Sequence, residues 1–171
     1  RSTRRPVSTP PGFSYDHAFS RNLGWVTEAE QQQLKNSRVC IAGMGGVGGV
    51  YLLTLARLGV GAFSLADFDT FALANFNRQA GATVSSLERP KLDVMIAMAR
   101  DINPHLDLRR FDEGLTPQNA PQFLADADVY LCGSLPFMRA VRSQLLHAGI
   151  PARRIRYEVF GPDLWAAQPP E

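Results

Sequence analysis

The sequence predicts an α/β fold, a doubly wound and mainly parallel Rossmann-like sheet with helices on both of its faces. Short apolar runs alternate along the chain with longer runs whose apolar residues recur at helical spacing, which is the pattern of successive strand–helix units. A glycine-rich turn at residues 43–48 joins the first apolar run to a helical run. The 171 residues, of which 45% are hydrophobic, are enough for one domain with a buried core.

The predicted elements alternate between helix and strand. Thr27 and Glu30 form a capping box, so a helix is expected from Glu28 to about Asn36. Gly59 is a typical C-terminal cap for the helix that follows the glycine-rich turn. The other predicted elements are a strand at 38–42, that helix at 47–58, a strand at 62–67, a helix over 92–102, a strand at 106–111, a short helix at 118–125, a strand at 129–132, a helix through 137–145 and a strand at 155–159.

The glycine-rich turn predicts a phosphate-binding loop for a nucleotide. Glycine lets a backbone turn tightly and approach a phosphate, and a helix N-terminus supplies free N–H groups with about half a positive charge. Asp67 ends the second predicted strand about 20 residues further on, where an acidic residue binds the ribose in dinucleotide-binding folds. A tight strand–helix turn without a ligand is the alternative. The predicted phosphate-binding residues are Gly43, Gly45, Gly46 and Gly48.

Composition and charge argue against several other classes of protein. The net charge is +2 and the basic residues are scattered, so we expect no nucleic-acid partner. No apolar stretch approaches the roughly 20 residues of a membrane span and no secretory signal is present, so we expect no membrane association. Cys40 and Cys132 lie in strand-like runs without a paired spacing. They are expected to be buried thiols of a reduced, cytoplasmic protein rather than a disulfide or metal site.

One folded domain with short terminal segments is expected. The first twelve residues are rich in Pro, Ser, Thr and Arg, which is typical of disorder, and residues 1–19 are predicted to be a disordered or arm-like segment. The nucleotide-binding domain is predicted over 20–165, with a tail at 166–171. Trp25 and Trp165, near its two ends, are expected to pack against the body of the domain.

Five short motifs follow one another along the chain. They are Gly43-Met44-Gly45-Gly46-Val47-Gly48, Asp67-Phe68-Asp69, Asn75-Phe76-Asn77-Arg78-Gln79, Pro90-Lys91 and Ile102-Asn103-Pro104. In type, order and separation, the motifs resemble the ThiF and MoeB adenylyltransferases, relatives of the ubiquitin-activating enzymes, over about 20–129. The resemblance implies an enzyme that uses ATP with Mg²⁺ to convert the C-terminal carboxylate of a ubiquitin-like or sulfur-carrier protein into an acyl-adenylate, with release of pyrophosphate. It also implies a homodimer.

The same resemblance assigns roles to individual residues. Asp67 would hold the ribose, and Asn75 would contact the phosphates. Arg78 and Lys91 would contact them as cations, which suits a reaction that develops negative charge on a phosphate oxygen. Arg21 resembles an arginine that family dimers insert into the ATP site of the partner. The catalytic candidates are therefore Arg21, Arg78 and Lys91, and the nucleotide-binding candidates are the four glycines with Asp67, Asp69, Asn75, Arg78 and Lys91.

Less specific interpretations of these side chains remain open. Arg21, Arg78 and Lys91 are each compatible with a solvated surface charge, which is common for a single basic residue. Asp69 is compatible with closing a turn. The family also has an Mg²⁺-binding Asp after the fourth strand, whereas residues 131–138 of this chain contain no acid. No metal-ligating residue is therefore assigned, and weak or absent adenylation is expected.

The C-terminal part carries a second resemblance. The segments at 132–138 and 157–162 resemble the pyridine-nucleotide segment and the terminal strand of flavohaemoglobin and ferredoxin reductase modules, over about 130–165. This resemblance implies a composite chain. Two alternatives to the adenylyltransferase follow: a fragment of a flavin oxidoreductase that uses NAD(P)H, and a binding module that keeps the nucleotide fold without catalysis.

Overall fold

Helices and strands alternate along the chain, as the sequence predicts. The computed structural model describes residues 12–125, 127, 129–132 and 135–158. Its elements are α1 (Tyr15–Ala18), α2 (Glu28–Asn36), β1 (Arg38–Ala42), α3 (Gly48–Arg57), β2 (Ala62–Ala66), α4 (Lys91–Ile102), β3 (Asp107–Phe111), α5 (Ala120–Phe123), β4 (Val129–Cys132), α6 (Leu135–His147) and β5 (Ile155–Glu158). Short 3₁₀ turns occur at Ser20–Asn22, Leu73–Asn75, Val84–Ser86 and Ala152–Arg154.

The strands pair in parallel. β1, β2 and β3 form a sheet in that order, with Arg38 opposite Ala62 and Ala62 opposite Asp107. β4 and β5 form a second parallel ladder, in which Val129 lies opposite Ile155. Parallel pairing of neighbouring strands requires crossover connections, and here helices provide them. The carboxyl ends of β1 and β2 therefore lie at one edge, where ligands bind in folds of this kind.

Helices cover both faces of the first sheet. On one face, Phe63 and Leu65 of β2 pack with α3 and α4 in a core that includes Leu52 and Met95. On the other face, a second core forms around Ala66 of β2 with residues of β3, α5, α6 and β5; its buried members include Phe111, Phe123, Met138, Leu145 and Ile155. The alternation along β2 sends successive side chains to opposite faces. These two cores confirm the predicted doubly wound architecture.

Local capping signals correspond closely to the observed helix ends. Both halves of the capping box at Thr27 and Glu30 are formed, and α2 has the predicted bounds. Gly59 follows α3 with a φ of +91°, a left-handed conformation that favours glycine. Cys40 is half-buried, and its thiol lies 3.0 Å from the carbonyl oxygen of Phe123. Burial raises the pKa of this thiol.

Two features near the N-terminus differ from expectation. A one-turn helix, α1, lies within the segment predicted to be disordered or arm-like, and the Tyr15 hydroxyl donates to the Gly59 carbonyl oxygen at 2.6 Å. The expectation that Trp25 packs against the domain is wrong, because this side chain is 94% exposed. Trp165 and the predicted tail lie outside the described residues, as do residues 1–11. Among the helices described, none combines the length and apolar character that a membrane span requires.

Candidate functional site

The glycine loop (residues 43–48) connects the end of β1 to the start of α3. Gly43 has a φ of +92°, and its N–H donates to the Ala66 carbonyl oxygen at 2.7 Å, so the loop is tied to the end of β2. A Cβ at Gly48 would lie 1.8 Å from the Gly43 carbonyl oxygen, a backbone collision that excludes any side chain there. The first glycine therefore makes the turn, and the last allows close strand–helix packing.

The middle of the loop has a different environment. A Cβ at Gly45 would first meet Nε2 of Gln79 at 3.8 Å, which is an ordinary contact, so the fold leaves room at this position. A Cβ at Gly46 would meet Cγ of Arg78 at 3.3 Å. Arg78 and Gln79, neighbours in sequence, thus lie against the two middle glycines. The N-terminus of the ten-residue helix α3 follows directly.

Asp67 lies beside the glycine loop at the carboxyl end of β2. Its carboxylate accepts hydrogen bonds from the backbone N–H of Met44 at 2.5 Å and from that of Asp69 at 2.7 Å. The first bond ties the carboxylate to the loop itself. An ionised carboxylate has about four lone-pair sites, so acceptor capacity remains for hydroxyl groups of a ligand. This geometry is compatible with the predicted contact to a ribose.

Lys91 and Asp69 form an ion pair at the start of α4. The Lys91 Nζ lies 3.0 Å from Oδ2 of Asp69, and the backbone N–H of Lys91 donates to the Asp69 carbonyl oxygen at 2.9 Å. The Lys91 residue is only 5% exposed, and its ammonium lies 6.0 Å from the centre of the Phe71 ring. A solvated surface charge does not describe this lysine. Asp69 orients the Lys91 ammonium, and the side chain of Asp69 is 54% exposed.

Asn75 and Arg78 belong to one compact loop. Asn75 Oδ1 accepts from the backbone N–H of Ala72 at 2.9 Å, and its carbonyl oxygen accepts from the N–H of Gln79 at 2.9 Å. The guanidinium of Arg78 is exposed and donates to the carbonyl oxygen of Ala74 at 3.0 Å. These bonds lie within the loop and fix its conformation. Its predicted phosphate contacts remain predictions.

Arg21 is not brought to the glycine loop of its own chain. It is exposed on the 3₁₀ turn Ser20–Asn22, and Nδ2 of the adjacent Asn22 donates to the Leu58 carbonyl oxygen at 3.1 Å. Leu58 caps the end of α3 that is remote from the loop, and ten helical residues span about 15 Å. The predicted role of Arg21 in the ATP site of a partner remains a prediction.

Some expectations about the C-terminal part cannot be compared with the structure. Gly133, Ser134 and residues 159–162, which carry much of the reductase resemblance, lie outside the described residues.

In the part of the chain that is described, no group of three or more His, Cys, Asp or Glu side chains is arranged to hold a metal ion.

Fold and site together define an α/β domain of the Rossmann type with a glycine loop between its first strand and the following helix. A model of the ThiF family matches residues 19–141, and the chain belongs to this family. The match extends into α6, past residue 129, at which the resemblance seen in the sequence motifs ends.

The proteins to which this chain is similar are named for more than one activity. The chain is 35% identical over 130 residues to the tRNA threonylcarbamoyladenosine dehydratase of Bacillus subtilis (strain 168), covering 72% of this chain and 51% of that protein. It is 39% identical over 101 residues to the sulfur carrier protein ThiS adenylyltransferase of Escherichia coli (strain K12), covering 59% and 40%. The chain thus spans about half the length, or less, of these relatives.

A solved structure supports the same fold. The E. coli tRNA N6-threonylcarbamoyladenosine dehydratase TcdA, crystallised in complex with ATP, matches with a TM-score of 0.68 and 27% identity. The match covers 83% of this chain and 58% of that one. TcdA has also been crystallised with AMP.

Proposed function

We propose that this chain binds ATP at the glycine loop and that its site serves to activate a carboxylate as an acyl-adenylate. The observation that carries the proposal is the Asp67 carboxylate, which is bonded to the glycine loop through the N–H of Met44 and to the next segment through the N–H of Asp69. In this proposal, the Asp67 carboxylate accepts hydrogen bonds from the ribose, and the N–H groups of the glycine loop bind the phosphates. The ATP complex of TcdA supports the choice of nucleotide.

The two cations fit the charge that this reaction develops. A carboxylate oxygen forms a bond to the α-phosphorus while the bond from that phosphorus to the bridging oxygen breaks, and pyrophosphate leaves with the electron pair. Negative charge then grows on the bridging oxygen. Arg78, packed on Gly46, and Lys91, fixed by Asp69, are the groups proposed to neutralise it. An ammonium has three donors, so Lys91 can keep its bond to Asp69 and still donate to a phosphate.

The proposed carboxylate is the C-terminus of a ubiquitin-like or sulfur-carrier protein. The relative named as an adenylyltransferase of the sulfur carrier ThiS supports this class. The near-neutral charge of the chain, +2 with scattered basic residues, favours a protein substrate over a polyanion. A carboxylate carried by tRNA is the second candidate, since the B. subtilis relative, matched over more of this chain, is named as a dehydratase of a modified tRNA nucleoside.

Two further parts of the proposal concern catalytic strength and assembly. Mg²⁺ is expected to accompany the triphosphate, and the segment at 131–138 offers it no carboxylate, so adenylation by this chain is proposed to be weak. Arg21 is proposed to act on the nucleotide of a second copy in a homodimer, since its turn packs at the remote end of α3.

ATP–pyrophosphate exchange tests the substrate class. The chain is incubated with ATP, Mg²⁺ and labelled pyrophosphate, together with a carrier protein ending in Gly-Gly, with the same carrier lacking these glycines, or with tRNA bearing threonylcarbamoyladenosine. We expect slow exchange that depends on the intact carrier terminus. Exchange stimulated by the tRNA alone would replace the protein substrate by the second candidate. Binding of ATP without exchange under any condition would favour the inert binding module.

A further inference from the structure

The side of α3 that faces away from the core is apolar. Its other side is buried through Leu52 and Ala56, and Arg57 is the single charged residue within the helix. The exposed side chains lie three or four residues apart, so they share one face of α3 and of the positions that flank it: Val47, Val50, Tyr51, Thr54 and Leu58. A surface helix ordinarily presents charged residues to water, and a helix that is apolar all round is normally covered. This outer face therefore calls for a partner.

The apolar surface continues beyond the C-terminal end of α3. The bond from Asn22 to the Leu58 carbonyl oxygen brings the segment after Asn22 to this end of the helix, where Leu23 is 44% exposed and Trp25 is 94% exposed. These two residues and the five on the helix are together called the outer α3 surface. The exposed parts of its six large apolar residues amount to on the order of 600 Å². Each partner in a standard interface contributes roughly 800 Å², so this surface is large enough to form the centre of one.

We propose that the outer α3 surface is the interface of a homodimer, in which the α3 helices of two copies pack antiparallel across a two-fold axis. Such an interface uses the same surface on both copies. An axis that passes between Tyr51 and Thr54 sets Tyr51 of each copy against Thr54 of the other, and Val47 against Leu58. The centre of this face carries no charge, so two copies meet there without like-charge repulsion.

The charges at the two ends of the interface are complementary when a nucleotide is bound. Ten helical residues span about 15 Å, with the glycine loop at one end of α3 and the exposed Arg21 and Arg57 at the other. Antiparallel packing sets the two arginines of one copy beside the glycine loop of the other, where the triphosphate is proposed to bind. This step rests on the proposed function, whereas the apolar interface does not. By linkage, ATP is expected to tighten the dimer.

Sedimentation equilibrium of the unmodified chain tests the interface. We expect a dimer at micromolar concentration and a lower dimer dissociation constant in the presence of ATP. Tyr51→Glu places like charges close together across the axis and should raise that constant about a hundredfold or more. Leu146→Glu is the matched control, since Leu146 is an exposed leucine on α6, and it should leave the constant unchanged. A monomeric unmodified chain, or a Tyr51→Glu variant that dimerises like it, would overturn the inference.

A second substitution guards against a failure of folding. Thr54 is exposed in the middle of the same face, so Thr54→Arg should keep the melting temperature of the unmodified chain and should also give monomers. Dimers of unchanged dissociation constant in a folded Thr54→Arg variant would overturn the inference whether or not Tyr51→Glu folds.

Calorimetry with ATP tests the antiparallel arrangement. Arg21→Ala should raise the ATP dissociation constant of the dimer about tenfold, as for loss of a charge-assisted contact to phosphate. In the monomeric Tyr51→Glu chain, Arg21→Ala should have no further effect, because Arg21 reaches only the site of a second copy. An equal effect in both backgrounds would overturn this arrangement. Absence of ATP binding by the unmodified chain would overturn the proposed function, and the sedimentation result would still decide the interface.

Discussion

The ammonium of Lys91, on a residue that is 5% exposed, pairs with the half-exposed carboxylate of Asp69 at 3.0 Å. The two partners of this ion pair are therefore not equivalent. Removal of Asp69 leaves a buried cation without its partner, whereas removal of the Lys91 ammonium leaves a carboxylate that water can still solvate. The pair is oriented at the start of α4 by the bond from the Lys91 N–H to the Asp69 carbonyl oxygen.

This asymmetry predicts that Asp69→Asn affects the stability of the fold more, whereas Lys91→Met affects ATP binding more. Asp69→Asn should lower the free energy of unfolding by about 1–2 kcal/mol, a value reduced from that of a fully buried pair because Asp69 is partly solvated. Lys91→Met should change stability by less than about 1 kcal/mol and should weaken ATP binding more than Asp69→Asn does. Urea unfolding and calorimetry measure the two effects. Arg100→Met, on the exposed surface of the same helix, is the control and should alter neither.

Substitutions at two positions of the glycine loop are predicted to have different effects, one on stability and the other on ATP binding. Gly48→Ala should destabilise the fold by more than about 2 kcal/mol, because its Cβ would collide with the Gly43 carbonyl oxygen. Gly45→Ala should keep the wild-type melting temperature, since its Cβ meets only an ordinary contact, and should weaken ATP binding about tenfold or more. Thermal unfolding measures the stability of each variant, and calorimetric titration with ATP measures its affinity. Equal loss of stability in both variants would contradict the account of the loop.

A restored carboxylate after β4 is predicted to increase adenylation. Pro136 is exposed in the first turn of α6, where an acid also interacts favourably with the helix N-terminus, so Pro136→Asp should fold normally and raise the rate of ATP–pyrophosphate exchange. Leu135 packs against the second core, so Leu135→Asp should cost about 1–3 kcal/mol of stability. Robust exchange by the unmodified chain would show that the missing acid does not matter.

The C-terminal elements are predicted to be essential for folding. Met138, Leu145 and Ile155 are buried in the second core, and each such side chain contributes about 1.5–3 kcal/mol. Their sum is comparable to the whole stability of roughly 5–15 kcal/mol of a small domain. Truncation after Leu131 should therefore give an unfolded or aggregated chain in circular dichroism and size-exclusion chromatography. A truncated chain that stays monomeric and binds ATP would make these elements dispensable.

Local signals made much of the fold predictable. The capping box at Thr27 and Glu30 and the glycine after α3 fix helix ends through nearby atoms, so sequence alone located them. Helix α1 contacts Gly59 and Gln31, which are distant in sequence. A four-residue helix is too short to have a recognisable sequence pattern, so it could not be predicted locally. The exposure of Trp25 was mispredicted for the same reason, since burial is a property of the assembled fold.

The site was predictable in composition but not in geometry. Spacing alone indicated Asp67 and the glycines as neighbours, because the ends of adjacent parallel strands meet at one edge. The burial of Lys91 and its pairing with Asp69 follow from an isolated backbone bridge between Thr70 and Pro90, which brings residues 69 and 91 together. Gln79 lies within a recognised motif, yet its buried Oε1 without a hydrogen-bond partner becomes evident only when its surroundings are known.

The central claim, an ATP site at the glycine loop, is tested most directly by calorimetric titration of the unmodified chain with ATP and with NADPH, each with and without Mg²⁺. The account predicts saturable binding of ATP that is tighter than binding of NADPH and that is weakened about tenfold or more in Gly45→Ala. Tighter binding of NADPH, or wild-type ATP affinity in Gly45→Ala, would contradict it.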